Sequence, residues 1–567
     1  MQKILRVDMS NCTGAYEEVP PEYEAFGGRG LIAKILLDEV KPDCHPLGKY
    51  NKLIFAPGLL GGTVVPSSGR ISIGAKSPLT GGIKESNGGG LTASKLARLG
   101  IKAVIVEGKP GDDSLFILKI SQKGWELIPA DDYRGMGNYQ LVGELTKRFG
   151  SKIGVASIGP AGENLMAAAG IANMDIDGNP SRFCGRGGLG AVMGSKGLKA
   201  LVVDDSGTRN IQAEDPKKLQ ETLREYIQII KASPVIEAYK KYGTSGMVAT
   251  ANALGFLPTR NFHHGRFVGA DRIDGEFMYN LIRQRGGKGL TTHNCMPGCI
   301  IGCSNVFPDS NGEMVVSPLE YETIGLFGAN CYIDDLDTIA RINYLCNDIG
   351  LDTIEVAVAL GIAMEAGVVP FGDKEGALKL IKEIGQPTLL GRVLGAGAVT
   401  TGRVLGIINV PAVKGQAMAA YDPRSVKGVG VTYAVSPMGA DHTAGTTARA
   451  QVNHLDPKGQ VELSRRVQLT VTIYDCLGLC MFVSVAMGPH PKVLANLLNA
   501  RYGWDWDAER LLELSKETIR MERRFNQLAG FSPVHDRLPE FFAEDPCPET
   551  GSVFDVPQEE IDQCYNF

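Results

Sequence analysis

Three cysteines stand at four-residue intervals in the segment THNCMPGCIIGCSN, at positions Cys295, Cys299 and Cys303. Iron–sulfur clusters and structural zinc both use grouped thiolates, and four protein ligands are usual for a closed site. Among the other cysteines, only Cys476 and Cys480 lie in another glycine-punctuated segment, YDCLGLCMF. The spacing favours a metal or cluster site over three thiols that merely pack. A radical cluster that binds S-adenosylmethionine does not fit, because its usual pattern has the third cysteine one residue closer.

Two glycine-rich segments, residues 66–90 and 181–201, could bring backbone close to an anionic ligand. Arg70 belongs to the first, and Arg186 and Lys196 belong to the second. The second contains a G-x-G-x-x-G match, but a turn-like stretch precedes it where a dinucleotide fingerprint needs a strand. We therefore predict an anion-binding backbone without a Rossmann site. Tight turns in a β-rich unit would explain either segment alone.

The pattern of apolar residues changes near residue 211. Before it, runs such as KLIFAPGLL, RISIGAKS, KAVIVEGKP, SLFILKISQ and ALVVDD are bounded by Gly, Pro and Asp, which is typical of strands. After it, segments such as DLDTIARINYLCNDIG and DAERLLELSKETIRMERRFNQLAG carry apolar residues at helical spacing. We predict a β-rich domain over 1–210 and helical domains over 211–400 and 401–567, the last boundary being prompted by GAGAVTTGRVLG.

Composition excludes several classes of function. A net charge of -5 over 567 residues, without a dense Lys/Arg tract, predicts no nucleic-acid partner. The most apolar run, LTVTIYDCLGLCMFVSVAMG, contains Asp475 and is typical of a buried core segment, not of a membrane span. No secretory signal is evident, so we expect a cytoplasmic protein whose 12 cysteines are thiols or metal ligands.

Several rare motifs, in the right order, resemble the tungsten-dependent aldehyde ferredoxin oxidoreductase family. GGRGL, SGR, AKSPLTG, NGGG and GRGGLGAVMGSKGLKAL resemble its N-terminal pterin-binding domain. CMPGCIIGC resembles its cluster run, and NDIGLD and DCLGLC resemble its paired D-x-x-G-L pterin motifs. The resemblance covers nearly the whole chain and favours the formaldehyde or broad-aldehyde branch, or a multi-subunit relative.

This resemblance implies an α+β fold, in which a β-rich bis-pterin-binding base domain is followed by two mostly α-helical domains. It implies two molybdopterins that share one tungsten, and one [4Fe–4S] cluster close to one pterin. Mg²⁺ at the pterin phosphates is compatible with it. Tungsten and molybdenum are not distinguished by the residues, because the pterin dithiolenes hold the metal.

The resemblance also implies a role for each residue that matches a family motif. The cluster ligands would be Cys295, Cys299, Cys303 and Cys480. The residues along the pterins and their phosphates would be Arg70, Asn87, Gly88, Gly89, Arg186 and Gly187. The paired motifs would contribute Asn347, Leu351, Asp475 and Leu479. Asn347 replaces the usual Asp, and its amide offers both donors and an acceptor, so pterin binding should survive.

Four further matches concern the chemistry. PLEYETIG places Glu322 where the family keeps a glutamate beside the metal, and MGADHTAG places His442 at its active-site histidine. Tyr321 and Tyr421 match tyrosines that line the pocket in the formaldehyde-type branch. Without the flanking motifs, a single Glu at a helix start is usually a helix cap or a surface charge, and a single His is usually a structural residue. The implied roles are carbonyl polarisation by His442 or Tyr421 and general-base chemistry by Glu322.

The implied activity is oxidation of an aldehyde by water to a carboxylic acid. Electrons would leave singly through the cluster to ferredoxin or to an iron–sulfur partner subunit, within a homo- or hetero-oligomer. Three alternatives stay open: an active-site subunit of the class II benzoyl-coenzyme A reductase type, with Cys331 as a candidate tungsten ligand; a degenerate, non-catalytic subunit for electron relay or assembly; and a zinc-stabilised binding protein. No E-x-x-H motif is present, so a subunit-bridging mononuclear iron is not predicted.

Overall fold

In the computed structural model, which describes residues 2–567, the chain begins with a six-stranded mixed sheet. Its strands are β1 (Lys3–Asp8), β2 (Thr13–Glu18), β3 (Leu53–Pro57), β4 (Ile71–Lys76), β5 (Ile83–Gly88) and β6 (Ile101–Glu107). The order is β2-β1-β6-β3-β4-β5, with β1 and β6 parallel. The intervening helices are α1 (Pro21–Glu24), α2 (Gly28–Glu39) and α3 (Thr92–Arg98).

A second six-stranded mixed sheet follows. Its strands are β7 (Phe116–Ser121), β8 (Gly124–Pro129), β9 (Gly154–Ser157), β10 (Ile171–Met174), β11 (Pro180–Cys184) and β12 (Leu198–Asp204), with α4 (Asn138–Phe149), α5 (Pro160–Glu163) and α6 (Leu189–Ser195) between them. Read from its other edge, the order is β8-β7-β12-β9-β10-β11, with β7 and β12 parallel. Strands such as β3, β4 and β12 are buried almost throughout, which accounts for their nearly continuous apolar runs.

The second sheet repeats the topology of the first. Each begins with a hairpin whose first strand pairs in parallel with the last strand of its own sheet, and the three remaining strands follow in the same order. Strands β5 and β11 are therefore equivalent edge strands, and they pack against each other. The first glycine-rich segment ends just after β5 and the second begins in β11, so the two halves of the N-terminal region present them side by side.

The rest of the chain is mostly helical. Its helices are α7 (Pro216–Lys231), α8 (Pro234–Tyr242), α9 (Met247–Leu254), α10 (Gly275–Arg285), α11 (Tyr321–Thr323), α12 (Leu336–Ile349), α13 (Thr353–Glu365), α14 (Lys374–Ile384), α15 (Leu389–Gly395), α16 (Ala398–Leu405), α17 (Lys427–Val435), α18 (Gln460–Leu477), α19 (Ser484–Met487), α20 (Pro491–Tyr502), α21 (Ala508–Leu528), α22 (Phe541–Glu544) and α23 (Gln558–Asp562). Five short strands complete it: β13 (Leu290–His293), β14 (Ser304–Pro308), β15 (Met314–Val316), β16 (Ala412–Val413) and β17 (Gln416–Ala417).

Local sequence signals account for the ends of the helices that matter for the site. The side chains of Asp335 and Asp352 cap the N-termini of α12 and α13 by accepting backbone N–H bonds. α12 ends at Gly350 and α18 at Gly478, and both glycines adopt the left-handed conformation, with φ of 86° and 73°. These are the glycines of NDIGLD and DCLGLC, so each motif is a helix end that turns sharply back.

The predicted α+β fold is confirmed: two mixed sheets are followed by helices. Helix α2 of the first sheet packs against α18 and α21, which joins the two regions. The predicted domain boundaries near 210 and 400 stay predictions, and residue 400 itself lies inside α16. No helix within residues 2–567 is both long and apolar enough to cross a membrane.

Candidate active site

A large cavity lies where the N-terminal sheets meet the helical region. The empty space between its atoms is about 1440 Å³, part of which is open to solvent. Thirteen of the predicted site residues lie on its wall: Arg70, Asn87, Gly88, Gly89, Arg186, Asn347, Leu351, Asp475, Glu322, His442, Cys295, Cys303 and Cys480. Five do not form the wall: Gly187, Leu479, Cys299, Tyr321 and Tyr421. Residues far apart in sequence therefore share one enclosed space.

Asp475 is the last polar residue of α18 before the turn at Gly478. One carboxylate oxygen accepts a hydrogen bond from Asn87 Nδ2 at 3.1 Å, and the other pairs with Arg29 Nη1 at 3.3 Å. Burial raises the pKa of Asp475 to about 6, against the opposing charges of Arg29 and Arg70. This carboxylate can accept hydrogen bonds from a heterocycle that carries N–H groups.

Asn347 occupies the equivalent place on α12. Its Nδ2 donates to the hydroxyl of Tyr139 at 3.3 Å, and its backbone oxygen accepts from Asn138 Nδ2 at 2.8 Å. Both partners belong to α4 of the second sheet. Asn347 thus faces the second half of the N-terminal region as Asp475 faces the first. Leu351, the residue directly after Gly350 of the same motif, forms an isolated β-bridge with Ala169 and lies on the wall.

The two arginines on the wall differ in how they are held. Arg70 donates from Nε to the side-chain oxygen of Asn87 and from Nη2 to its backbone oxygen, at 3.0 Å for the latter. Arg186 is buried, pairs with Asp352 at 3.2 Å and donates to the backbone oxygens of Ala440 and Ala417. Arg186 therefore connects the end of β11 to the helical region. The hydrogen bonds of Arg70 go to Asn87 and not to a carboxylate.

Bare backbone forms the wall between the two sheets. A β-carbon at Gly88 would lie 3.1 Å from the backbone oxygen of Arg182, and one at Gly89 would lie 3.2 Å from Cys295 Sγ. Gly187 has φ of 81°, and a β-carbon there would collide with the Lys84 side chain at 2.4 Å. Gly187 therefore needs glycine, whereas at Gly88 and Gly89 a β-carbon would fit only if its neighbours moved by a few tenths of an ångström.

The predicted cluster cysteines come together from two separate segments. Ser67 joins the segments, because its N–H donates to Gly298 O at 3.0 Å and its carbonyl accepts from the Cys480 N–H at 2.9 Å. Its hydroxyl also accepts from the Ile300 N–H at 3.3 Å. Cys295, Cys303 and Cys480 reach the cavity wall. The Cys299 thiol group contacts Cys295, whose hydrogen bond lowers the pKa of Cys299 towards the thiolate that binds metal.

Glu322 and His442 face each other on the wall. His442 Nε2 lies 3.3 Å from Glu322 Oε1, and Glu322 Oε2 accepts the backbone N–H of Ala420 at 2.8 Å. Within residues 2–567, His442 Nδ1 is buried and has no hydrogen-bond partner. Glu322 is followed at once by a π-helix over Ile324–Asn330, a distortion that often accompanies functional sites. His442 follows Asp441, whose carboxylate pairs with the buried Lys84.

The two predicted tyrosines lie behind this pair. Tyr321 is fully buried and its hydroxyl donates to the backbone oxygen of Ala420. Tyr421 lies between Tyr321 and His442, with its ring centroid 5.3 Å from that of Tyr321 and 6.0 Å from that of His442. Burial raises the pKa of both tyrosines well above the usual value. Tyr321 therefore packs the pair from behind, and Tyr421 contacts the catalytic histidine predicted from the sequence.

Sequence analysis missed several residues of the wall. Arg182 donates to Ser304 Oγ at 2.8 Å and contacts His293 Nδ1 at 3.0 Å, and His293 contacts Asp177 at 2.6 Å. Glu320 also lines the cavity, and burial raises its pKa. Asp352, at the end of NDIGLD, could have been found as part of that motif. No sequence motif indicated a site role for Arg182, because only the fold brings it next to Ser304 and His293, on either side of the cysteine segment.

The geometry gives little support to Cys331 as a metal ligand or to a zinc-only site. Cys331 is fully buried, lies 3.5 Å from the backbone oxygen of Ala357 and does not form the cavity wall. Within residues 2–567, no group of three or more His, Cys, Asp or Glu side chains is arranged to hold a single metal ion. A zinc-only site would need such a group.

Comparison with known proteins identifies the family. Residues 4–205 match the family model described as aldehyde ferredoxin oxidoreductase, N-terminal domain, and residues 221–567 match the model of its domains 2 and 3. The chain belongs to the aldehyde ferredoxin oxidoreductase family. The resemblance read from the motifs and the prediction of an oxidoreductase enzyme are both confirmed.

Named relatives in the family cover almost the whole chain. The chain is 34% identical to the tungsten-containing aldehyde ferredoxin oxidoreductase of Pyrococcus horikoshii over 582 residues, which is 96% of this chain and 92% of that protein. The enzyme of the same name from Thermococcus kodakarensis is 34% identical over 575 residues, with the same coverage. The aliphatic sulfonate oxidoreductase WOR-like subunit of Pyrococcus furiosus is 27% identical, covering 93% of this chain and 85% of that one.

A solved structure shares the fold of this aldehyde ferredoxin oxidoreductase family member. It is the active-site complex BamBC of benzoyl coenzyme A reductase with 1,5-dienoyl-CoA, with a TM-score of 0.80 and 21% sequence identity. The match covers 97% of this chain and 92% of that chain. At that identity the likeness concerns the fold.

Proposed function

We propose that this chain is a tungsten- and bis-pterin-dependent oxidoreductase that converts aldehydes to carboxylic acids. Electrons would leave singly through a [4Fe–4S] cluster to ferredoxin or to an iron–sulfur partner subunit. The observation that carries the proposal is the Glu322–His442 pair, whose Oε1 and Nε2 atoms lie 3.3 Å apart on the wall of a cavity shared with the paired pterin motifs. The cytoplasmic location, Mg²⁺ and the oligomeric assembly stay predictions.

The wall fits a large anionic cofactor. Asp475 and Asn347 supply an acceptor and an amide at two helix ends, and Arg70 supplies a cation without a carboxylate partner among its contacts. Gly88 and Gly89 leave room where any side chain would meet backbone or sulfur within about 3.2 Å. The residues that would hold the two pterins are Arg70, Asn87, Gly88, Gly89, Asn347 and Asp475. Arg186 would act mainly by holding β11 in place.

The thiols fit a cluster more closely than a single metal ion. Cys295, Cys299, Cys303 and Cys480 would be its ligands, joined through Ser67 as described above. Cys480 and Asp475 belong to the same helix end, so one short segment would contact both groups. When bound, the tungsten–pterin group supplies the two-electron oxidation and the cluster supplies the one-electron exit.

The side chains account for the handling of substrate and protons. The overall reaction converts an aldehyde and water to a carboxylic acid, two electrons and two protons. Glu322 can accept a proton from the attacking water, because Ala420 N–H fixes Oε2 and leaves Oε1 facing His442. His442 can donate to the carbonyl oxygen and so polarise the carbonyl. Tyr421, packed against the imidazole, fixes the orientation of the ring.

Metal analysis together with aldehyde-dependent dye reduction tests the proposal. Purified protein should contain tungsten or molybdenum and about four iron atoms per chain, the number in one [4Fe–4S] cluster. It should reduce a viologen dye when given an aldehyde from a panel that runs from formaldehyde to benzaldehyde. Benzoyl-coenzyme A, which accepts electrons, is tested in the opposite direction, by oxidation of reduced viologen, because the active-site complex of a benzoyl coenzyme A reductase shares the fold. A metal-loaded protein that reduces no dye with any aldehyde would disprove the proposed function.

A further inference from the structure

Three buried carboxylates lie around one guanidinium just behind the cavity wall. Arg29 holds Glu522 by two hydrogen bonds, from Nε to Oε1 at 2.7 Å and from Nη2 to Oε2 at 2.8 Å. Its Nη1 lies 3.3 Å from Asp475 Oδ2, and Asn87 Nδ2 donates to the other Asp475 oxygen at 3.1 Å. The third carboxylate is Glu85, which is 5% exposed and does not form the wall. Arg29, Glu85, Asp475 and Glu522 are here called the Arg29 network.

Glu85 points towards α2, the helix that carries Arg29. On β4, Gly74 lies opposite Glu85, and side chains directly opposite each other in paired strands share a face. A β-carbon at Gly74 would lie 2.3 Å from Ile32 Cγ2 of α2, so this is the face that α2 covers. Within residues 2–567, Glu85 Oε1 is buried and has no hydrogen-bond partner. An ionised carboxylate oxygen there loses its hydration without replacement, so the site favours the protonated form.

Charges on the neighbouring elements act on Glu85 or on Asp475. The groups that interact with Glu85 are Asp475 of α18, Arg29 of α2, Lys84 of β5 and the Cys184 thiol of β11. Those that act on Asp475 besides Arg29 are Arg70 and Glu522 of α21. The charge of Lys84 is balanced by Asp441. Three carboxylates then face two guanidiniums, so full ionisation would leave one buried negative charge without a counter-charge. A bound proton removes that excess.

We propose that the Arg29 network is a proton-exchange site for the cofactor bound against Asp475, and that Glu85 carries the proton. When an electron from the aldehyde adds a negative charge to the bound group, the Glu85 carboxylate takes up one proton from solvent. When that electron leaves through the cluster, the Glu85 carboxylic acid returns the proton. The inference rests on the proposed function and adds a residue that balances charge while the electrons leave singly. Glu85 acts through Asp475 and touches no reacting atom.

The position of Asp475 accounts for the coupling. An added negative charge raises the proton affinity of a nearby carboxylate, and the effect is stronger in buried surroundings than in water. Asp475 forms part of the wall, whereas Glu85 lies behind it. Burial, together with the charge of Asp475, raises the pKa of Glu85 to about 8, against the opposing charge of Arg29. A change of charge at the wall therefore moves Glu85 between its two forms in neutral or mildly alkaline solution.

Redox-difference infrared spectroscopy of the purified, metal-loaded protein tests the exchange. At about pH 8, electrochemical reduction should add the carbonyl band of a protonated carboxylic acid and remove carboxylate bands, and the new band should shift in D2O. Glu85→Gln should lose this band, because an amide takes up no proton in this range. Glu85→Met should lose it as well, and it replaces the Gln variant if that variant fails to fold. Glu375→Gln, on the exposed face of α14, is the matched control and should keep the band.

Two results would overturn the proposal. A wild-type spectrum without any redox-dependent carboxylic acid band would do so without the need for a variant. A band of equal size in wild type and in the folded Glu85 variants would do so too, and would assign the proton to another buried carboxyl group. Glu355 is one such group, because burial raises its pKa to about 7.

The midpoint potential of the bound metal, followed by electron paramagnetic resonance at several pH values around 8, gives a second readout. In wild type the potential should become more negative as pH rises, by up to about 59 mV per pH unit where one proton accompanies one electron. The slope should be smaller in Glu85→Gln and unchanged in Glu375→Gln. Equal slopes in wild type and Glu85→Gln would overturn the proposal, because Glu85 would then hold its proton whatever the charge of the cofactor.

Neither measurement needs an aldehyde, so failure of this inference and failure of the proposed function are distinguishable. A metal-loaded protein that shows the Glu85-dependent band but oxidises no aldehyde would support the proton-exchange site and disprove the proposed function. Aldehyde oxidation by a protein that lacks the band would support the proposed function and overturn the proton-exchange site.

Discussion

Glu322 and Glu320 stand two residues apart on the same wall, yet their surroundings differ. Glu322 has one oxygen fixed by the Ala420 N–H and the other directed at His442, so its acceptor lone pairs are aimed. Glu320 precedes α11, and burial raises its pKa while Arg182 and Arg70 oppose that rise. Spacing along the chain could indicate which carboxylate matches the family motif. The hydrogen bonds fix the orientation of that carboxylate, which the proposed role as a base requires.

Replacing Glu322 with Gln should lower kcat by about a hundredfold or more, the usual contribution of a positioned general base. The amide keeps the size of the side chain, so the iron and tungsten contents should match those of wild type. Steady-state viologen reduction and metal analysis measure the two quantities. Glu375→Gln, on the exposed face of α14, is the matched control and should keep full activity. Turnover near the wild-type rate in Glu322→Gln would contradict the assignment.

Glu85 predicts a pH dependence of stability. Burial, together with the nearby charge of Asp475, raises its pKa to about 8, against the opposing charge of Arg29. The folded state then holds a proton that the unfolded state releases near pH 4.5. The free energy of unfolding should therefore fall as pH rises from about 5 to about 8, because the unfolded state binds fewer protons in that window. Each unit of pKa difference corresponds to about 1.4 kcal/mol.

Thermal unfolding midpoints measured across this pH window test the dependence. Glu85→Gln removes the carboxyl group, so its midpoint should fall less steeply than that of wild type and should lie above it near pH 8. The exposed Glu375→Gln variant should follow the wild-type slope. An equally steep fall in Glu85→Gln would show that another group carries the dependence.

Among the elements, the helix that ends at Gly350 was predicted from the sequence, and so were the apolar strands, whereas the run that holds Gly478 was predicted only as a buried core segment. β5 and β11 were not predicted, because IKESNG and PSRFC carry polar residues that face the cavity or buried ion pairs instead of an apolar core. The π-helix after Glu322 was also unreadable, since its register depends on packing against α13. The site could therefore be predicted where a motif fixes the backbone, and not where distant contacts do.

Gly58 tests the contact between the end of β3 and the turn that carries Asp475 and Cys480. A β-carbon at Gly58 would lie 2.0 Å from Gly478 N, a distance at which backbone must move. Gly58→Ala should thus displace the turn, weaken both the cluster and the pterin contact, and lower iron content and visible absorption by about half or more, given the cost of overpacking. Gly111→Ala is the control, because its β-carbon meets nothing within 4 Å. Wild-type iron content in Gly58→Ala would contradict this account.

The whole molecule is organised by the repeated sheet topology. The two halves place β5 and β11 at equivalent edges, and each half faces one of the paired motifs, Asp475 through Asn87 and Asn347 through Asn138 and Tyr139. The sequence revealed no repeat, because equivalent positions in the two sheets carry different residue types. What the two sheets share is the order in which their strands pair. A duplicated base and two motif-bearing helix ends are consistent with the two pterins proposed above.

Buried ion pairs join the N-terminal sheets to the helical region. A substitution of Arg29 on α2 tests how much these pairs contribute to stability. Its Nε donates to Glu522 Oε1 on α21 at 2.7 Å, and its Nη1 pairs with Asp475 at 3.3 Å, with Arg29 only 2% exposed. Arg29→Met leaves two buried carboxylates without their cation, so it should destabilise the protein by about 3 to 5 kcal/mol.

Denaturant unfolding of the two single variants and the double variant measures the interaction energy between Arg29 and Glu522. The double-mutant cycle separates this energy from the other effects of each substitution. Arg29→Met combined with Glu522→Leu should recover part of the loss, since Glu522→Leu removes one of the two carboxylates that Arg29→Met leaves unpaired. Arg520→Met, which breaks the exposed pair with Glu513 on the same helix, should cost about 1 kcal/mol or less. If Arg29→Met were no more harmful than Arg520→Met, packing of α2 against α18 and α21, and not this ion pair, would hold the two regions together.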